Sequence, residues 1–311
     1  MEKMGFLFPG QGAQYRGMGK RFYEASKSSR RIFNIASDML KFDVARMCFE
    51  GDEDELSSTK NSQPAILTSS IACLRFLQEK NKEALQAPVI SVAGLSLGEY
   101  SALVCADVIR FEDAVYIVRK RGEFMEEESL QNPGGMLSLL GSDLNTVKQL
   151  CEKTGLEIAV LNCPGQIVVS GTEGSIKLAL EQSKDSGIKK VVRLKTSGPF
   201  HCSKMKTAAD RLKILLDKIQ MQKPKYKFIC NASAQWVDEP EKIKDALTRQ
   251  VHHPVLWENS MLEMERQGFL NFIELSPGKV LKNLAQRICS NFNVESMDEE
   301  WLSSPVRMKY D

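Results

Sequence analysis

The feature that most restricts how this chain can fold is a short β-branched run that stops on a glycine. Pro88-Val89-Ile90-Ser91-Val92-Ala93 leads into Gly94-Leu95-Ser96-Leu97-Gly98, and residues 97–105 then follow a helical pattern. A run of that length and composition reads as a buried strand. The G-x-S-x-G sequence at its end turns the chain sharply from strand into helix. The flanking glycines let backbones pass closely, and the turn pushes the serine hydroxyl out at the strand's carboxyl end. The helix N-terminus aims N–H groups and a partial positive charge at the same spot, which suits an oxyanion. Ser96 is therefore the candidate nucleophile; the alternative is a serine that only caps the helix.

Strand and helix signals alternate elsewhere too. Residues 4–8 read as a buried strand, and residues 24–40, 63–79 and 112–127 as helices, the second opening with Pro64 near its first turn. Strands separated by helices imply a parallel sheet covered on both faces. The rhythm changes in the middle. Residues 134–140, 156–161, 166–170 and 190–194 read as strands, and residues 144–153 and 173–186 as helices. The order β-α-β-β-α-β is that of a ferredoxin-like unit. Helices are then expected at 201–219, 242–251, 257–267 and 279–288, with strands at 226–230 and 269–275. The expected architecture is α/β: a large α/β-hydrolase-like domain with a parallel sheet, discontinuous over 1–128 and 197–290, with a ferredoxin-like small domain inserted at 129–196. Residues 291–311 are expected to form a loosely held tail.

Lys and Arg number 42 against 40 Asp and Glu, so net charge does not call for nucleic acid or an anionic membrane. No apolar run approaches the ~18 residues a membrane span needs. The apolar stretch near the N-terminus ends at once in Pro9-Gly10, which reads as a strand entering a turn rather than a secretory signal. The eight cysteines form no C-x-x-C pair. That spacing points to reduced thiols in a cytoplasmic protein, with neither disulfides nor a metal site expected.

A serine needs a base to take its proton, and histidine is the usual one near neutral pH. Only His201, His252 and His253 are available. His201 sits in Ser197-Gly198-Pro199-Phe200-His201, a stiff loop where the small domain would rejoin the large one, so position favours it. His252 and His253 precede Pro254 at a helix end and read as cap or surface residues. Directly after the first strand, Phe8-Pro9-Gly10-Gln11-Gly12-Ala13-Gln14 carries glycines that permit close approach to a ligand. It fits neither a Walker A loop nor a dinucleotide fingerprint. It could supply a backbone N–H to an oxyanion hole, or be only a tight turn.

These segments occur in order with Gln63-Pro64-Ala65, Gly98-Glu99-Tyr100-Ser101-Ala102, Arg121-Gly122, Asn231, Gln250 and Ser276-Pro277-Gly278. The chain in this respect resembles the malonyl-CoA:acyl carrier protein transacylases of bacterial type II fatty acid synthesis. The likeness extends to the acyltransferase domains of polyketide synthases and covers about residues 4–288. The resemblance implies ping-pong transfer: Ser96 takes the malonyl group from malonyl-CoA with His201 as general base, then passes it to the phosphopantetheine thiol of acyl carrier protein. It implies an oxyanion hole from the N–H groups of Gln11 and Leu97. It implies that Arg121 binds the malonyl carboxylate, that the Gln250 side chain hydrogen-bonds near the imidazole, and that Gln63 and Asn231 line the pocket. No cofactor beyond these substrates, and no metal, is implied. Without the resemblance, Arg121 is not separable from Arg119 and Lys120, although a planar guanidinium suits a carboxylate.

Two positions depart from the common pattern. Leu95 stands where many members have histidine, and Phe200 is bulky, as in malonyl-selective members, narrowing the pocket against α-branched units. The rival readings are an acyltransferase serving a polyketide assembly line, an acyl hydrolase, and a non-catalytic carrier-binding scaffold. Retention of Arg121 argues against the hydrolase, and retention of both Ser96 and His201 against the scaffold. A monomer is expected. Lys189, Lys190, Arg193, Lys195, Lys204 and Lys206 are candidates for docking an acidic carrier protein, or simply solvated charges.

Overall fold

The computed structural model describes residues 3–80, 87–183 and 187–300. Among them, nine strands form two sheets. The larger contains β1 (Lys3–Phe8), β2 (Val89–Gly94), β7 (Lys227–Phe228), β8 (Asn271–Leu275) and β9 (Asn293–Met297), in the order β7-β2-β1-β8-β9. Every pairing in it is parallel. The first two strands are buried along almost their whole length, as expected where helices cover both faces of a parallel sheet. The smaller sheet contains β3 (Gly134–Leu140), β4 (Glu157–Cys163), β5 (Gln166–Thr172) and β6 (Lys190–Arg193), antiparallel in the order β4-β5-β3-β6. With α8 (Leu144–Thr154) and α9 (Glu173–Gln182) it has the expected β-α-β-β-α-β succession and its own apolar core around Leu137, Leu139, Val147 and Ile176. The last residues expected for that second helix, 184–186, lie outside the described residues.

Several boundaries differ for local reasons. The helix expected at 24–40 is two, α1 (Lys20–Ala25) and α2 (Lys27–Leu40). Ser26 between them is extended, and its hydroxyl accepts from the Ser29 N–H to start the second helix afresh. Two short helices were not anticipated, α3 (Val44–Glu50) and α4 (Glu53–Ser57), each started by an aspartate cap, Asp43 and Asp52. Next, α5 (Thr59–Lys80) begins before Pro64 and runs through it. The missing N–H of Pro64 would leave the Lys60 carbonyl unpaired; instead Arg119 Nη1 donates to it at 3.2 Å. The helix expected from residue 201 starts later: a 3-10 turn at Ser203–Met205 leads into α10 (Lys206–Leu216). The tail expectation is corrected for residues 293–297, which form the fifth strand of the parallel sheet, with Val294 and Met297 buried. Residues 301–311 lie outside the described residues. All eight cysteines are free, and among the described residues no helix is long and apolar enough to cross a membrane.

Candidate active site

The turn between β2 and α6 (Gly98–Cys105) is as tight as the sequence requires. A Cβ on Gly94 would lie 1.9 Å from the carbonyl carbon of Gly98, so no side chain fits there. Ser96 at its tip has φ 51°. Left-handed backbone at a serine stores strain that the surrounding structure must hold. Three hydrogen bonds do so: the Ser96 N–H donates to Asn231 Oδ1 at 2.6 Å, Asn231 Nδ2 to the Gly94 carbonyl at 2.8 Å, and Gln250 Nε2 to the Ser96 carbonyl at 2.8 Å.

His201 is also left-handed, with φ 59°, which keeps it out of the helix that follows. Its Nε2 lies 2.8 Å from Ser96 Oγ, and its Nδ1 lies 2.7 Å from the Gln250 carbonyl oxygen. That carbonyl can only accept, so it selects the tautomer with hydrogen on Nδ1 and leaves the Nε2 lone pair facing the serine hydroxyl. Burial, reinforced by the Arg121 charge and opposed by the Gln250 carbonyl, brings the imidazole down to about 4. It is therefore neutral and able to accept a proton at pH 7. His252 and His253 stand outside this arrangement; their rings meet edge to face with centroids 4.2 Å apart, and His253 Nδ1 faces the Arg249 carbonyl.

Arg121 comes from α7 (Phe111–Gln131), and of three consecutive basic residues it alone is buried. Arg119 and Lys120 pair with Glu123. Gly122 lets α7 approach α5 closely, since a Cβ there would lie 2.6 Å from the Lys60 Cα. The guanidinium consequently meets Gln63: Nη1 donates to Gln63 Oε1 at 2.8 Å, and Nη2 to Gln250 Oε1 at 2.9 Å and to Ser96 Oγ at 3.1 Å. Its Nε has no partner among the described residues. Among the described residues no carboxylate hydrogen-bonds this buried cation, so it retains its capacity for an anionic partner.

A cleft of about 890 Å³ between the two sheets opens onto these groups, lined by Gln11, Ser96, Arg121, His201 and Phe200 on one side and Met136 on the other. The loop after β1 reaches it because the Leu95 N–H donates to the Phe8 carbonyl at 3.0 Å. Neither the Gln11 nor the Leu97 N–H is taken by a backbone carbonyl among the described residues. Two expected placements differ. Gln63 and Asn231 do not line the cleft; both are wholly buried behind it, one against Arg121 and the other bracing the turn. Gln250 meets the imidazole through its backbone carbonyl, while its side chain ties Ser96 to Arg121. Of the candidate docking residues, Arg193 pairs bidentately with Glu173, Lys195 lies 3.6 Å from Glu53, and Lys206 pairs with Asp210. One residue has a place in the site that the sequence alone does not assign. Glu99, directly after the G-x-S-x-G sequence, is fully buried and bonds both Asn231 and Gln250. The signal was a charged residue opening a helix of otherwise small and apolar residues.

A serine at a strand-to-helix turn, a neutral imidazole on its hydroxyl and a parallel sheet beneath define an enzyme of acyl transfer. The sequence profile of the acyl transferase domain matches residues 5–300, and the chain belongs to that family. It is similar to the malonyl CoA-acyl carrier protein transacylase of Bacillus subtilis (strain 168), 45% identical over 93% of this chain and 91% of that one. The protein of the same name from Staphylococcus aureus (strain MRSA252) is 38% identical over 96% of each chain. Among solved structures, the malonyl CoA-acyl carrier protein transacylase of Clostridium perfringens superposes with a TM-score of 0.90 at 38% identity, over 97% of this chain and 96% of that one. A malonyl-transacylase in complex with its type II polyketide acyl-carrier protein superposes at 0.91 with 34% identity, over 95% and 96%.

Proposed function

We propose that this enzyme moves the malonyl group of malonyl-CoA to the phosphopantetheine thiol of an acyl carrier protein, through a malonyl-Ser96 ester, supplying fatty acid synthesis. His201 Nε2 takes the Ser96 proton as Oγ attacks the thioester carbonyl. The N–H groups of Gln11 and Leu97 receive the oxyanion. Collapse breaks the C–S bond, and the proton on Nε2 leaves with CoA as its thiol. In the second half the carrier thiol gives its proton to Nε2 and attacks the ester. The C–O bond breaks, and Ser96 Oγ recovers the proton. No group beyond the two thioester partners enters this balance, so no cofactor is required.

The observation that carries the reading is the convergence of His201 Nε2 and Arg121 Nη2 on one hydroxyl, at 2.8 and 3.1 Å. A guanidinium that close to the nucleophile suits an acyl group ending in a carboxylate; Gln63 and Gln250 hold it there. Phe200 supplies a wall of the acyl pocket. The 0.91 likeness to a polyketide malonyl-transacylase supports a polyketide carrier as the second reading of the acceptor. The free cysteines support a cytoplasmic setting, and the separate core of the smaller sheet supports 129–196 as a domain inserted between 1–128 and 197–290. We propose a monomer.

The test is a panel of acyl-CoA thioesters with mass detection of the acyl-enzyme, followed by challenge with carrier proteins of fatty acid and polyketide origin. The expected result is a malonyl adduct that passes to a carrier. Discharge to water with the carriers left bare contradicts the transferase reading.

A further inference from the structure

Glu99 takes no part in the steps above, yet it is a carboxylate with no exposed surface at the centre of the site. Its Oε1 accepts the Asn231 N–H at 2.7 Å, and its Oε2 accepts from Gln250 Nε2. Both partners are donors, so both oxygens act as acceptors, which is the pattern of an ionised carboxylate. Burial pushes its titration up to about 8, while the Asn231 N–H, the Gln250 amide and the Arg121 charge pull the other way.

The Gln250 amide has two ways round. As observed, Nε2 donates to Glu99 and to the Ser96 carbonyl, which leaves Oε1 to accept from Arg121. Reversed, its oxygen would face two acceptors and its NH2 would face a cation. We infer that Glu99 is a positioning residue: it fixes the orientation of the Gln250 amide and through that amide aims Arg121 at the acyl group. The chain of contacts runs from carboxylate to amide to guanidinium, and it ends on the nucleophile's hydroxyl. This deepens the reading of Arg121 as partner of the malonyl carboxylate and rests on it.

Glu99→Gln isolates the effect. The new side chain offers one acceptor, claimed by the Asn231 N–H, which cannot turn; its NH2 then faces Gln250. The Gln250 amide turns round, and its NH2 meets the guanidinium. Arg121 keeps Gln63 but loses the Gln250 acceptor on Nη2, and that arm of the guanidinium leaves its aim. Acetyl transfer, which presents no carboxylate, loses less than malonyl transfer.

Malonyl and acetyl loading of the full chain are followed by intact mass after rapid quench, at a pH above the titration of the Glu99 carboxyl. Glu99→Gln should lower the malonyl-to-acetyl ratio of loading rates about ten- to hundredfold, the scale of one charge-assisted hydrogen bond. Glu99→Asp, which keeps the charge, should restore most of it. Adding Glu99→Gln to Arg121→Ala should leave the ratio of that variant unchanged. A purely structural carboxylate would slow both substrates in parallel; parallel loss, or a further fall in the Arg121→Ala background, overturns the inference. If Glu99→Gln does not melt cooperatively, Gln250→Met removes the relay with Glu99 in place, and an unchanged ratio there overturns it equally. Failure of the native chain to load malonyl at all would refute the transferase reading instead, so the two failures are distinct.

Discussion

Replacing Arg121 with alanine separates the binding of a carboxylate from the chemistry of the serine. Arg121 is 2% exposed, and its guanidinium holds its place through Gln63 Oε1 and Gln250 Oε1. A malonyl carboxylate in its fork would gain two hydrogen bonds between charged groups, each about 1.5–3 kcal/mol. Losing both costs about 3–6 kcal/mol. At about 1.4 kcal/mol per tenfold, kcat/KM for malonyl loading falls about 10²- to 10⁴-fold. The acetyl group ends in a methyl and has no such bonds to lose. The lost contact to Ser96 Oγ at 3.1 Å affects both substrates alike, so the ratio of the two is the reading that counts. Two amide oxygens are orphaned, at about 1–3 kcal/mol each, and removal of a buried cation offsets part of that. Denaturant midpoints of both chains check that the variant stays folded. Single-turnover loading with malonyl-CoA and acetyl-CoA measures the ratio. A fall of the same size for both substrates would refute the assignment of Arg121 to the carboxylate and make it a scaffold residue.

The His201 titration gives a pH dependence with a definite sign. Its folded value is lowered from 6.5 to about 4, so between those values the unfolded chain binds a proton that the folded chain refuses. The stability it contributes is present above 6.5 and is lost as pH falls toward 4, a total of about 3 kcal/mol at about 1.4 kcal/mol per pH unit. Acetyl loading, which does not draw on the Glu99 relay, should stay flat through neutral pH and fall only toward the lowered value; an inflection near 6.5 would contradict a neutral buried base. Asn231→Ala leaves the Ser96 N–H and the Gly94 carbonyl without their partner, and should destabilise the chain by about 2–5 kcal/mol in urea unfolding. A change under about 1 kcal/mol would mean that the turn holds without it. Phe200→Ala removes one wall of the cleft and should raise loading of an α-methylated malonyl thioester relative to malonyl about ten- to hundredfold. An unchanged ratio would place the selectivity elsewhere.

How much of this was legible depended on whether the physics was local. The turn carrying Ser96 was readable because a buried strand, two close glycines and a helix start all lie within a few residues of it. His201 was readable from the scarcity of histidine and from Pro199 just before it. Arg121 could not be told from Arg119 and Lys120, because which residue turns inward depends on how α7 packs on α5. The same long-range packing hid the start of α5. The carbonyl that Pro64 leaves unpaired is satisfied by Arg119, far along the chain. Strand β9 reads as tail in the sequence because Asn293-Val294-Glu295-Ser296-Met297 is half polar; its partner β8 supplies the pairing that the segment's own propensity lacks. The burial of Glu99 is not legible because a carboxylate is normally surface, and only its two donors make burial tolerable.

The central claim is that Ser96 carries the acyl group between two thiols. Brief exposure of the native chain to malonyl-CoA, followed by peptide mass mapping, should place a single malonyl group on the peptide containing Ser96, and Ser96→Ala should carry none. A malonyl group that maps to another residue, or that persists in Ser96→Ala, would contradict the account.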